Sequence, residues 1–391
     1  MIKTSSLIWV FYFSIFFPFV SIYPIGTDLQ PIFIILMTLL VVFKKVKLYK
    51  KDYPLIIFAF ISLIYFNPFY QTFTPFKGLG SYLSIFISLF LILILIRTFN
   101  LSLFISVVKK SVLFYFVCSI LFLLFPTYFS KFQLNFVRSI NTINEGIGFR
   151  GISTFFTEPG LFGGHMIGFS LIIIALFEKK FITKKESLIY GFMILFMLLA
   201  SKSGMGYSYL IFVFAYIFYK NIKNVKTIIF SSVLLFIVFL NLNLDLLIEA
   251  NRGLTALLSL SDYQNIQDNS ILARLYNLFF GFYILIEYPF GLGFNYTTPI
   301  LTELINSNQF FRNYYGTIDE YGFVSSLSFL ISYYGISIFI LLIYIVKTYR
   351  PPLFYLFVSL LFLTFSFSAA YPMIWLLLIL HYLLNQSKIY N

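Results

Sequence analysis

The chain has 391 residues, 60% of them hydrophobic and only 10% charged, with a formal net charge of +13. A soluble domain carries about 45–50% apolar and about 25% charged residues, so the apolar excess here must face lipid. The lysines cluster between apolar runs, which matches the anionic cytoplasmic leaflet and argues against nucleic acid as the partner of that charge.

Apolar runs occur at 5–24, 29–43, 54–69, 81–97, 110–127, 160–177, 186–200, 204–219, 226–242, 334–346, 353–369 and 371–386. They predict an all-α integral membrane protein of about 12 transmembrane helices, a single polytopic domain over 1–391. The first run follows Lys3 but has no small-residue cleavage site near its end, so it is read as the first helix and not as a signal peptide. Many of the 30 tyrosines sit at the ends of runs, where an amphipathic ring prefers the headgroup zone. The one cysteine, Cys118, lies inside a run, so neither an intrachain disulfide nor a cysteine metal site is expected.

Orientation follows from lysine placement. With the N-terminus in the cytoplasm, 19 of the 27 basic residues fall inside, among them Lys44, Lys45, Lys47, Lys50, Lys51, Lys109, Lys110, Lys179, Lys180, Lys184 and Lys185. The positive-inside rule selects this arrangement over its inverse and places both termini in the cytoplasm. Two long external loops result, at 128–159 and 243–333. The second holds an apolar segment, Ile271 to Tyr288, interrupted by Arg274 and Glu287, expected as a helix lying at or dipping into the outer interface. Phe323 to Ser332 is either a second interfacial helix or the outer half of a long span.

The arginines run against the lysines. Five of seven fall outside, at Arg138, Arg150, Arg252, Arg274 and Arg312, whereas 17 of 20 lysines fall inside. Topology selection treats Lys and Arg alike and does not explain that split. Guanidinium offers a rigid two-pronged donor matched to phosphate and carboxylate, so the external arginines point to an anionic, phosphorylated ligand. The alternative is that they pair with Glu145, Glu158, Glu249, Glu287 or Asp319 and hold the loops.

The sharpest motif runs from Arg150 through Phe156-Thr157-Glu158-Pro159-Gly160 into an apolar helix. Thr157 is the expected cap, Glu158 the expected first-turn acid, and Pro159 suits an early helical position. The outward-facing helix N-terminus favours an anion. Gly160, Gly164 and Gly168 recur every four residues, which predicts a smooth packing stripe, and His165 lies about two turns in, as a packing residue or a substrate contact. A second constellation is Arg274 on an apolar helix, followed by Pro289-Phe290-Gly291-Leu292-Gly293. An Arg in such a helix is costly unless paired and marks a functional site by default, whereas a Gly-x-Gly turn alone ends many helices.

These constellations, in this order, resemble the O-antigen polymerase (Wzy) family within the O-antigen ligase and polymerase superfamily. Members carry an Arg before a Phe-x-Glu-Pro-type element that opens a helix, here Arg150 with Phe156 to Pro159, and an Arg ahead of a Pro-x-x-Gly-x-Gly-type turn, here Arg274 with Pro289 to Gly293. The resemblance implies a metal-independent glycosyltransferase of GT-C-like architecture, without a cofactor, in a bacterial inner membrane with its site facing the periplasm. Its implied substrates are an undecaprenyl-diphosphate-linked glycan donor and acceptor, joined into O-antigen or capsular polysaccharide. A chain-length regulator and a flippase are the implied protein partners. The related ligases carry an external His in the second large loop, where this chain has Asp319 and Glu320.

In that chemistry an acceptor hydroxyl attacks the anomeric carbon while a lipid diphosphate leaves. Arg150 and Arg274 are the expected stabilisers of the growing negative charge, with Arg138, Arg252 and Arg312 as further contacts. Glu158 is the first candidate base, Asp319 or Glu320 the second, and Tyr321, with Tyr314 and Tyr315, is placed to stack on sugar rings. No Asp-x-Asp pair occurs in an external loop, which speaks against a metal-dependent route. The rival functions are a ligase and, from another class, a flippase. Against a carrier, most spans lack charge through their middles and 11 of 14 acids fall outside, the exceptions being Asp52, Glu178 and Glu186.

Overall fold

The computed structural model describes residues 4–20, 49–61, 89–137, 143–144, 148–149, 151–220, 269–292, 298–315, 325–365 and 371–389. The protein is all-α. Apart from a two-residue antiparallel ribbon pairing Ile143–Asn144 with Gly148–Phe149, the regular structure among the described residues is helical. The runs predicted at 29–43 and 226–242 lie outside them.

Helix α1 (Thr4–Phe16) is followed by a short 3-10 turn at Lys50–Asp52, α2 (Tyr53–Ile61) and α3 (Leu89–Thr98). Helix α4 (Leu101–Leu124) begins nine residues before the predicted run. Asn100 sets that start: its side chain caps the helix by accepting from the Leu103 amide at 3.1 Å. The lysines expected to end the span lie within it. Lys109 reaches Glu186 at 2.5 Å and Lys110 sits 5.6 Å from the Trp9 ring centroid, so long stems carry both charges away from the helix axis.

The buried face of α4 recurs at Phe104, Val107, Val108, Ser111, Val112, Tyr115, Cys118, Ser119 and Phe122, the three- and four-residue spacing of a helix. Its other face exposes Leu113, Phe114, Val117, Leu121 and Leu124. Large apolar side chains at Leu188, Ile189 and Phe192, and at Ile336, Ile340 and Ile343, are likewise exposed. Patches of this kind are a liability in water and are satisfied in hydrocarbon.

Helix α5 (Pro126–Gln133) turns off the end of α4. The central helix is α6 (Pro159–Glu178), followed by α7 (Lys184–Ala200), which opens on a capping box between Thr183 and Glu186, and α8 (Gly204–Lys220). Helix α6 touches α7, α8 and the last helix, α15 (Pro372–Ile389), and most of its residues are buried. The Tyr355 hydroxyl donates to the Leu171 carbonyl at 2.9 Å, tying α14 (Leu353–Phe365) to the same helix.

A separate small core joins α9 (Asn269–Glu287), α10 (Thr298–Ser307) and α11 (Gln309–Tyr315). It is built from Tyr276, Phe280, Ile284, Leu301, Leu304, Ile305 and Phe311. The predicted segments at 271–288 and 323–332 are thus helices, the second being α12 (Ser326–Tyr334). Helix α12 does not continue into α13 (Ser337–Tyr349): the two are bent by 114° at Gly335. The predicted run at 334–346 therefore straddles a break, because Gly335 (φ 52°) lets the chain turn where a side chain would overlap the Pro289 carbonyl. The break is clasped by the turn after α9. The Leu292 amide donates to the Ser332 carbonyl and the Ile336 amide to the Pro289 carbonyl, both at 2.8 Å.

Among the described residues two helices are long and apolar enough to cross a membrane, α4 and α6, or three spans if α12 and α13 count as one. Four shorter apolar helices lie within α1, α3, α9 and α14. Gly335→Ala should lower the thermal midpoint of the detergent-solubilised protein by several degrees. Gly191→Ala, where an added methyl meets nothing within 4 Å, should leave it level or slightly higher. Equal midpoints for the two variants would show that the clasp does not hold the bend.

Candidate functional site

The segment from Gly151 to Glu158 is built by four neighbours. Gly151 has φ 126°, and a side chain there would overlap the carbonyl of Ser201, so backbone meets backbone. The next residue, Ile152, donates its amide to the Ala200 carbonyl at 3.2 Å. From the other side, the buried Gln133 amide donates to the Ser153 hydroxyl at 3.2 Å and to the Phe156 carbonyl at 3.1 Å. Phe155 inserts among Phe17, Phe114, Phe129, Phe132 and Phe136, while Phe156 points down onto His165 with ring centroids 4.8 Å apart. The segment is pinned at α5, α7 and the core beneath, and it leaves Glu158 exposed.

Glu158 is not in the first helical turn. It is the residue before α6, extended at φ −140° and ψ 147°, with Pro159 opening the helix as expected. Thr157 does not cap: it is buried, and the helix starts without a side-chain cap. The anticipated glycine stripe divides. Gly160 faces the Ser203 cap of α8 and Gly168 faces Met373 on α15, while the close approach to α8 is made by Gly163, which the stripe did not include and whose Cβ position would lie 3.1 Å from the Gly206 Cα.

That contact aligns α6 with α8. Their first turns meet at Gly160, Gly163, Ser203 and Gly206. Their last turns meet where the Tyr216 hydroxyl donates to Glu178 at 3.1 Å and Lys220 lies 3.8 Å from the same carboxylate. The two helices are therefore parallel, and their positive dipole ends lie side by side next to Glu158. Ser203 caps the second of these ends by accepting from the Gly206 amide at 3.0 Å. The turn before α8 carries an exposed lysine, Lys202, in left-handed conformation (φ 49°), its Cβ against Gly151. Sequence reasoning passed over Lys202 because it counted lysines as topology signals. The available clue was its place among the three lysines that the charge pattern assigns to the outside.

His165 is fully buried. Its Nδ1 is hydrogen-bonded to the Tyr371 hydroxyl, and Tyr115, Phe156 and Phe169 surround the ring. Arg274 is carried near the start of α9, and the turn that follows that helix is the one clasping Gly335. The Gly291 part of that motif thus has a packing role, since a side chain there would overlap the Tyr333 carbonyl. Arg312 is exposed in the last turn of α11, beside the buried Phe311. Tyr314 and Tyr315 close the same helix. Arg138, Arg150, Arg252, Asp319, Glu320 and Tyr321 lie outside the described residues, Arg150 being the chain neighbour of Gly151.

Three ion pairs occur among the described residues: Arg97 with Asp52, Lys109 with Glu186, and Lys220 with Glu178. These are the three acids that the lysine pattern assigns to the cytoplasmic side. Glu158, Glu287 and Glu303 are exposed and have no ion pair among the described residues. Nor does any group of three His, Cys, Asp or Glu side chains converge there to hold a metal ion. Compared with family models and with curated proteins, the chain matches none.

Gln133→Met should destabilise the protein by about 1–3 kcal/mol, because it strands the buried Ser153 hydroxyl and Phe156 carbonyl. Glu158→Gln, at an exposed position, should stay within about 0.5 kcal/mol. Denaturant titration of both variants checks this, and no loss in Gln133→Met would mean the loop is not held from α5.

Proposed function

We propose that this protein is a multi-pass membrane glycosyltransferase of the bacterial inner membrane. It has about 12 spans in a GT-C-like arrangement and joins polyprenyl-diphosphate-linked oligosaccharide repeat units at the periplasmic face, with both termini in the cytoplasm. The observation that carries the proposal is the junction where the parallel first turns of α6 and α8 meet, with the exposed Glu158 directly before α6. Anion chemistry fits there: two positive helix ends lie side by side, and Arg150 precedes Gly151 in the chain.

In the proposed reaction the acceptor hydroxyl oxygen bonds to the anomeric carbon of the donor. The bond from that carbon to the diphosphate oxygen breaks, and the electron pair leaves with the lipid diphosphate. Glu158 takes the hydroxyl proton, which its exposed position outside α6 permits. Arg150 and Arg274 hold the diphosphate as its charge grows, and Arg138, Arg252 and Arg312 contact diphosphate or sugar. The distribution of charge supports a transferase over an ion-coupled carrier. Among the described residues Asp52 is the one buried carboxylate, and Arg97 pairs with it.

Gel profiles of surface glycan from a deletion strain separate the alternatives. Loss of a repeat-unit polymerase leaves single-repeat glycan, loss of a ligase leaves bare core, and loss of a flippase leaves no repeat at the outer face. With the gene restored, Arg150→Lys and Arg274→Lys should each cut polymer formation at least about tenfold at wild-type protein level, because Lys keeps the charge and loses the fork. Full-length polymer in both variants would remove the diphosphate-binding role of these arginines.

A further inference from the structure

We propose that α5 is a membrane-interface helix, seated by its aromatic face at the boundary between lipid headgroups and hydrocarbon. This surface is separate from the charged residues of the transferase proposal and does not rest on them. The break that creates α5 is local. Pro126 has no amide to continue α4 and disfavours helical geometry in the residue before it. Phe125 accordingly leaves the helical region, at φ −134° and ψ 59°, and the chain resumes as a helix over Pro126–Gln133.

The spacing of residues gives α5 three faces. Phe129 and Gln133, four apart, are buried. Phe125, Tyr128 and Phe132 recur at three and four residues and are exposed, Tyr128 by 78%. Thr127 and Lys131, four apart, are exposed on the third face. The aromatic face prolongs the exposed line of α4 at Leu113, Val117, Leu121 and Leu124, and no charged residue interrupts the chain from Leu113 to Ser130. Leu121, Phe125, Tyr128, Phe129 and Phe132 line an open, apolar groove of about 560 Å³ where the two helices meet. Continuity with α4, which is long and apolar enough to cross a membrane, says what covers the groove: lipid chains reach it along the same face. An aromatic face beside one with a threonine and a lysine is the composition that the headgroup boundary selects. The same helix borders the Glu158 segment. The Phe129 and Phe132 rings lie 6.1 and 6.5 Å from that of Phe155, and Gln133 holds Ser153 and Phe156. The lipid boundary thus sets the depth of α5, and α5 that of the segment ending at Glu158.

Spin-label depth measurement tests this on full-length protein in nanodiscs of phosphatidylcholine and phosphatidylglycerol, with the buried native thiol removed by Cys118→Ala. Labels are placed at Tyr128→Cys, Phe132→Cys, Lys131→Cys and, on α4, Val117→Cys, and their access to oxygen and to a water-soluble nickel chelate is compared. The expected result is that Tyr128→Cys and Phe132→Cys favour oxygen at a depth of about 5–10 Å inside the headgroup–acyl boundary, Lys131→Cys favours nickel, and Val117→Cys lies deeper. Free nickel access at Tyr128→Cys and Phe132→Cys would place that face in water and overturn the proposal. Exclusion of both reagents would place a protein surface over it, and a depth equal to that at Val117→Cys would sink α5 into hydrocarbon; either result overturns it too. If Cys118→Ala does not yield folded protein, Tyr128→Trp with Cys118 kept gives the same decision, read as the increment over the native Trp9 and Trp375. Quenching of that increment by brominated phosphatidylcholine supports the interface, and its absence overturns it.

Discussion

The approach of Gly163 to Gly206 is the contact on which the rest of the molecule depends. Two helices without side chains at the crossing can bring their backbones together, which in hydrocarbon is a main source of helix association. Parallel alignment follows, and it has an electrostatic cost, because like dipole ends repel. At the far end the cost is offset. Glu178, poorly placed at the C-terminus of α6, is held by Tyr216 and Lys220 from α8. At the near end the Glu158 carboxylate stands beside the positive start of α6, where a negative charge complements the dipole.

The charge pattern repeats this polarity. Each acid assigned to the cytoplasmic side is locked to a basic partner, Asp52 by Arg97, Glu178 by Lys220 and Glu186 by Lys109. Such pairing neutralises charges that would be costly near hydrocarbon. Glu158, Glu287 and Glu303, which the lysine pattern assigns to the outer side, are exposed and have no ion pair among the described residues.

The glycine turn after α9 illustrates how one motif serves two ends. Gly291 and Gly335 let two backbones touch, so α9 is fastened at its C-terminal end to the break between α12 and α13. Arg274 sits about 20 Å away along the same helix. The clasp and the arginine are linked by a rigid rod with its own small core, Phe280 on α9 meeting Phe311 on α11. A pattern of residues that looks like a single signature therefore divides into a fastening and a charged tip.

The sequence alone determined the all-helical class and the helices at 159–178, 184–200 and 204–220 to within a few residues. Apolar run length and composition carry that information locally. It also singled out the segment from Gly151 to Pro159, since Arg, Glu and Pro at a helix start have a local meaning. What only tertiary structure decided was which neighbours meet. Thr157 turned inward instead of capping, because Phe155 and Phe156 draw the segment into the aromatic core. The span expected at 334–346 broke at Gly335, because a turn 44 residues earlier in the chain packs against it. The Gly151 segment met the turn between α7 and α8, because Gly151 lacks a side chain and the Ser201 carbonyl fits against it. These outcomes depend on contacts between segments distant in the chain, and run length, composition and local motif hold no record of them.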